Sequence, residues 1–141
     1  MSHGYDRDSG LPFPSGGVPR IPDAAVIVKP AGRKDDSGKL DMTLFDDMPR
    51  ALEAVAEVMQ WAITKKQPQP YDRGSWLGVS PDRYRAAIMR HMSAAAKQVG
   101  DSDGRPARMQ PDAETNLLHL AHVACSALFA LELTIREMKK A

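Results

Sequence analysis

The sequence is short of several residue types, and each shortage excludes something. One cysteine among 141 residues rules out a disulfide framework and a cysteine-based zinc site, and it fits a reducing compartment. With a net charge of +1, the chain lacks the basic surplus by which a dedicated nucleic-acid binder neutralises phosphates. The opening MSHGYDRDSG has neither the basic start nor the apolar stretch of a secretory signal. The most apolar segment, residues 117–133, is interrupted by His119, His122 and Glu132 and makes a poor bilayer span. A soluble, cytoplasmic protein with no nucleic-acid or membrane partner is therefore expected. GxxxxGK[ST], GxGxxG and HExxH are all missing, which removes P-loop, dinucleotide-fold and zincin chemistry. Glutamate is scarce too: the chain has five against thirteen aspartates, and two of the five, Glu53 and Glu57, stand one helical turn apart.

Residues 1–40 hold six of the ten glycines and five of the eleven prolines. Such a stretch cannot sustain a helix and has little to bury, so it reads as an extended, partly disordered N-terminal arm. Only residues 24–28 (AAVIV) have strand character. Residues 41–141 read as one all-α domain. Leu44, Met48, Leu52, Val55, Met59 and Ile63 recur on one helical face, with Pro49 suited to the first helical position. That helix is expected to stop before Pro68. Ser80-Pro81-Asp82 supplies an N-cap, N1 and acidic first turn for a second helix ending near Gly100. A third is expected from about Asp112 to Met138, apolar around most of its circumference and therefore buried on several sides. Three long helices in so short a chain leave surface that a second subunit would cover, so an oligomer is expected.

Several constellations carry possible chemistry. Glu53 and Glu57 project from one helix face, where two hard oxygen donors suit Mg²⁺ or Mn²⁺, or equally a solvated acidic face. On the third helix Asp112, Thr115, His119, His122 and Ser126 form a narrow polar stripe in apolar surroundings. Buried imidazoles must find partners, and metal ligation, phosphate contact or core hydrogen bonds would each provide them. His91 reads as a satisfied core histidine facing the last helix. Trp76 suits base stacking or a core plug, and Lys65 and Lys66 suit a helix C-terminus or a phosphate. Cys125 lies mid-helix on an apolar face with no cationic activator, so it reads as an inert buried thiol rather than a nucleophile.

Taken together, GKLDMTLFDDMPRALEAVAEVMQWAITKK, the YDRGSW loop, RYRAAIMRHM and ETNLLHLAHVACSALF resemble the phage and bacterial dATP/dGTP diphosphohydrolase family. This is a MazG-like branch of the all-α nucleoside triphosphate pyrophosphatases that includes the phage MazZ proteins. The resemblance spans residues 36–135. It implies a helical bundle forming a homodimer or homotetramer, and Mg²⁺- or Mn²⁺-dependent cleavage of a purine deoxynucleoside triphosphate between its α and β phosphates. Glu53 and Glu57 match the outer acids of an EExxE metal motif whose middle position is Ala54, and His119 and His122 occupy the spacing of a later ExxD motif. The implied roles are metal binding by those four residues and catalysis by Glu53, Glu57 and His122. Lys39, Lys65, Arg90 and His91 would contact phosphate, and Trp76 and Trp61 the base. In phages that replace adenine by 2-aminoadenine, relatives of this kind make dGMP as feedstock, which would place the protein in the host cytoplasm. The alternative is a non-catalytic helical oligomerisation or accessory protein.

Overall fold

Contacts divide the chain into two units, Met1–Leu40 and Asp41–Ala141. The structure is a computed structural model and describes residues 31–101 and 104–141; the strand expected at residues 24–28 lies outside them. In the first unit the described residues are exposed, and Lys34 and Lys39 both pair with Asp36.

The second unit is built from three α-helices, α1 (Pro49–Thr64), α2 (Pro81–Gln98) and α3 (His119–Lys140), with short 3-10 turns between them. No strand forms among the described residues. Local chemistry explains the first two starts. Asp41 accepts the Thr43 N–H and opens a 3-10 turn over Met42–Asp47; Pro49, which has no N–H to satisfy, then begins α1. The Ser80 side chain accepts from the Asp82 N–H, Pro81 occupies the first turn, and Asp82 faces the positive end of the helix dipole.

The core lies where α1 crosses α3. Val58, Ala121 and Cys125 are buried there, flanked by Ala54, Val55, Leu117 and Phe129. The loop from Tyr71 to Ser80 is pinned onto it by aromatic packing. Trp76 stacks on Phe129 at 4.2 Å between ring centroids, Tyr84 meets the same ring edge-on, and the Tyr84 hydroxyl donates to the Trp76 carbonyl. Gly74 has φ +82°, which lets the chain turn into the short helix carrying Trp76.

The third helix differs from the expectation in two ways. It begins at His119 rather than Asp112, because Asp112 offers its backbone a better alternative. Asp112 Oδ2 accepts from the N–H groups of Glu114 and Thr115, and the Asp112 N–H donates to the Leu117 carbonyl at 2.7 Å. Asn116 sits in the left-handed region at φ 58°, and Pro111 bridges to Leu118. Residues 111–118 thus fold back as a side-chain-locked turn, the competition with helix that short polar side chains provide. The second difference is exposure. Within one chain α1, α2 and the turns between them cover only part of α3, so Leu120, Leu128 and Leu131 remain about half exposed instead of buried.

Candidate functional site

The turn at 111–118 delivers Asp112 and Thr115 to the polar stripe of α3 from outside the helix. On α2, His91, Ala95 and Gln98 stand at i, i+4 and i+7 and face the same place. Three histidines meet there. His91 Nδ1 lies 2.8 Å from His119 Nδ1, and the His91 ring stacks parallel on His122 with centroids 4.4 Å apart. Asp112 Oδ1 stands 3.8 Å from the His91 nitrogen and 3.9 Å from that of His119, which is only 4% exposed.

The surrounding hydrogen bonds assign the protons. Gln98 Nε2 donates to the Pro111 carbonyl, so its Oε1 faces His119 Nε2 at 2.9 Å and takes that nitrogen's hydrogen. In the neutral ring His119 Nδ1 is then a bare lone pair, and His91 Nδ1 donates to it. Thr115 Oγ1 lies 3.2 Å from Asp112 Oδ2 and 2.8 Å from His122 Nε2, and it accepts the Leu117 N–H. With one donor and two acceptor positions, the hydroxyl donates to the carboxylate and accepts from His122.

Electrostatics follow from burial. Burial pushes the His91 and His122 pKa values below the ordinary imidazole value, against the pull of Asp112. Burial also raises the Asp112 carboxyl, but the Thr115 N–H, His122, the Thr115 hydroxyl and His91 outweigh it and leave its pKa low. At neutral pH Asp112 is therefore a carboxylate beside neutral His91 and His122. Linkage gives a prediction. The folded pKa values of His91 and His122 lie below the unfolded value of about 6.5, so the unfolded chain takes up protons first as pH falls. Stability present above pH ~6.5 is lost as the pH falls through the folded values. Urea denaturation midpoints at pH 7.5 and 5.5 should show the lower value at 5.5, and His122→Ala should flatten the difference.

Beside the cluster lies a cleft of about 350 Å³ between α1 and the 111–118 turn, and Glu57, Gln60, Trp61, Thr64, Lys65, Thr115 and Leu117 line it. The structure thus brings Glu57, Trp61 and Lys65 together in one cleft, and His91, His119 and His122 together in one cluster, with Thr115 belonging to both. Glu53 is exposed one turn before Glu57. Lys66 passes over the Trp61 ring to pair with Glu114, tying the end of α1 to the turn. Trp76 lines a different, apolar cleft of about 520 Å³ with Met59, Tyr84 and Phe129. Arg90 lines a third with Tyr71 and Arg83, and Lys39 belongs to the first unit. Burial pushes the Cys125 thiol up to about 11, consistent with an inert core residue. Sequence reasoning did not single out Gln98 or the Lys66–Glu114 pair. The i+7 spacing from His91 held a signal for Gln98; nothing local held one for the pair.

The family described as dATP/dGTP diphosphohydrolase, N-terminal, matches residues 29–141. The chain belongs to the dATP/dGTP diphosphohydrolase family. No curated protein and no solved structure gives a match. The family's name is that of nucleotide hydrolases, and the matched region contains α1, α2, α3 and every residue of the cleft and the histidine cluster. Among the described residues, no helix of this family member is long and apolar enough to cross a membrane.

Proposed function

We propose that the chain hydrolyses a purine deoxynucleoside triphosphate, dGTP or dATP, between the α and β phosphates. The observation that carries this reading is the cleft in which Glu57, Trp61 and Lys65 meet beside the histidine cluster, in a chain of this family. Lys65 supplies a cation to the phosphates and Trp61 a face for the base. Glu57, with Glu53 a turn away on the exposed side of α1, offers hard oxygen donors next to that cation. This donor chemistry fits a Mg²⁺ or Mn²⁺ ion accompanying a triphosphate. Such an ion, when bound, neutralises charge on the phosphates.

The chain's own part is to orient water and take a proton. Water adds to the α phosphorus as the bond to the pyrophosphate oxygen breaks, and the water's proton passes to His122 Nδ1, since Nε2 carries the hydrogen given to Thr115. Burial keeps that ring neutral, and Thr115 holds it. The products are the nucleoside monophosphate and pyrophosphate. In a phage that builds 2-aminoadenine DNA, dGMP made this way in the host cytoplasm would be feedstock. A second copy of the chain would cover the exposed apolar flanks of α1 and α3, where Leu52, Met59, Ile63, Leu120, Leu128 and Leu131 lie.

The test is pyrophosphate release from the eight common nucleoside triphosphates with Mg²⁺ or Mn²⁺, run beside sedimentation of the free protein. Purine deoxynucleotides should be cleaved fastest, and Glu57→Gln should lower kcat/KM about tenfold or more. A dimer or tetramer that releases pyrophosphate from none of them would instead favour the non-catalytic module.

A further inference from the structure

We infer that His91, Asp112 and His119 form a binding site for one divalent first-row transition ion of the Mn²⁺, Fe²⁺, Co²⁺ or Zn²⁺ class, and that this site discriminates against Mg²⁺. Their three donor atoms lie within 4.8 Å of one another. The edges of the triangle are 2.8, 3.8 and 3.9 Å. Ligands about 2.0–2.2 Å from a common ion stand roughly 3–3.5 Å apart, so an ion at the centre requires shifts of about half an ångström. Binding also moves the His91 hydrogen from Nδ1, where it serves His119 in the empty cluster, to Nε2, so that both Nδ1 lone pairs face the ion.

The donor set fixes the class of ion. Two imidazole nitrogens and one carboxylate oxygen suit borderline transition metals, whereas Mg²⁺ demands an almost purely oxygen shell. Three protein ligands also leave positions open to water or an outside oxygen, the mark of a working rather than a structural site.

A second observation points the same way, because the ligands are held from behind. Gln98 takes the far N–H of His119 and thereby bares Nδ1 toward the triangle. The Thr115 N–H and hydroxyl hold Asp112 Oδ2, and among the described residues Oδ1 has no partner within hydrogen-bonding distance. Outer partners of this kind orient metal ligands and fix their tautomers. Among the described residues no fully buried side-chain oxygen lacks a partner, so Oδ1 keeps access to solvent, the route by which an ion would arrive. His122 lies outside the triangle, stacked on the His91 ring. The site rests on donors of α2, α3 and the turn.

The experiment is titration of chelator-treated full-length protein with metal alone. One equivalent of Co²⁺ should give visible d–d absorption, and calorimetry should show Co²⁺ and Zn²⁺ binding at least 100-fold more tightly than Mg²⁺. His91→Ala and Asp112→Ala should abolish the absorption. Gln98→Ala should weaken binding by roughly 10- to 100-fold, and Gln98→Glu, which keeps an acceptor for His119 while losing the donor to the Pro111 carbonyl, should recover part of that loss. Gln98 touches no metal, so the Gln98→Glu rescue keeps the test decisive even if a ligand variant misfolds. Absence of one-equivalent Co²⁺ binding, Mg²⁺ binding of equal strength, or unchanged binding in folded His91→Ala protein would overturn the proposal. Metal binding is read without nucleotide, so failure here leaves the diphosphohydrolase reading standing, and a chain that releases no pyrophosphate leaves this site standing.

Discussion

Asp112→Ala is expected to lower stability by about 2–3 kcal/mol and to reduce pyrophosphate release by at least ~10²-fold. The stability loss comes from the turn. Asp112 Oδ2 is the acceptor for the N–H groups of Glu114 and Thr115 and for the Thr115 hydroxyl. Removing it strands donors in a partly covered place, at about 1–3 kcal/mol for a fully buried one and less where water reaches. The activity loss follows through Thr115, which loses the partner that orients it toward His122 and borders the cleft with Glu57 and Lys65. Asp112→Asn separates the two effects. Its amide oxygen can still accept the turn's N–H groups, so stability should stay within ~1 kcal/mol of the parent. Its missing charge should still depress activity. Urea denaturation and pyrophosphate release on the same preparations check both halves. A destabilised but fully active Asp112→Ala would show that the turn is structural only.

The same turn marks the limit of what the sequence disclosed. α1 and α2 were legible because their starts are written locally, in Pro49 and in Ser80-Pro81-Asp82, and their lengths in a continuous apolar face. The start of α3 was not, because residues 112–118 have acceptable helix periodicity. Only side-chain-to-backbone bonds from Asp112, together with the long-range ties Gln98–Pro111 and Lys66–Glu114, decide against helix. The site followed the same rule. The spacing of Glu53 and Glu57, and of His119 and His122, is a property of single helices and could be read directly. That His91 meets His119, or that Glu57 meets Thr115, depends on the register between elements, which no local pattern encodes. Trp76 shows the opposite case. An aromatic in a glycine-containing loop fits base stacking or core packing equally well, and in the structure Trp76 stacks on the Phe129 ring 4.2 Å away while also lining the apolar cleft.

His122→Ala is expected to lower kcat by roughly 10²–10⁴-fold while leaving the fold intact, the span typical of a lost general base. His122 is half-buried, on the side of α3 that faces the turn, and its Nε2 rests on the Thr115 hydroxyl. Truncation there leaves Thr115 bonded to Asp112 and opens space that water can enter. The stability cost should therefore stay near 1 kcal/mol, while the proposed proton acceptor is gone. A pH profile separates this from a positional effect. Burial and the neighbouring His91 hold the His122 pKa below the ordinary imidazole value, so the active, neutral form persists below pH ~6.5. The parent enzyme should then lose kcat only on the acid side, with its midpoint below that value, and His122→Ala should retain a small rate with no acid limb. An acid limb that survives in His122→Ala would assign the proton transfer to another group. His91, the ring stacked against it, would be the next residue to replace.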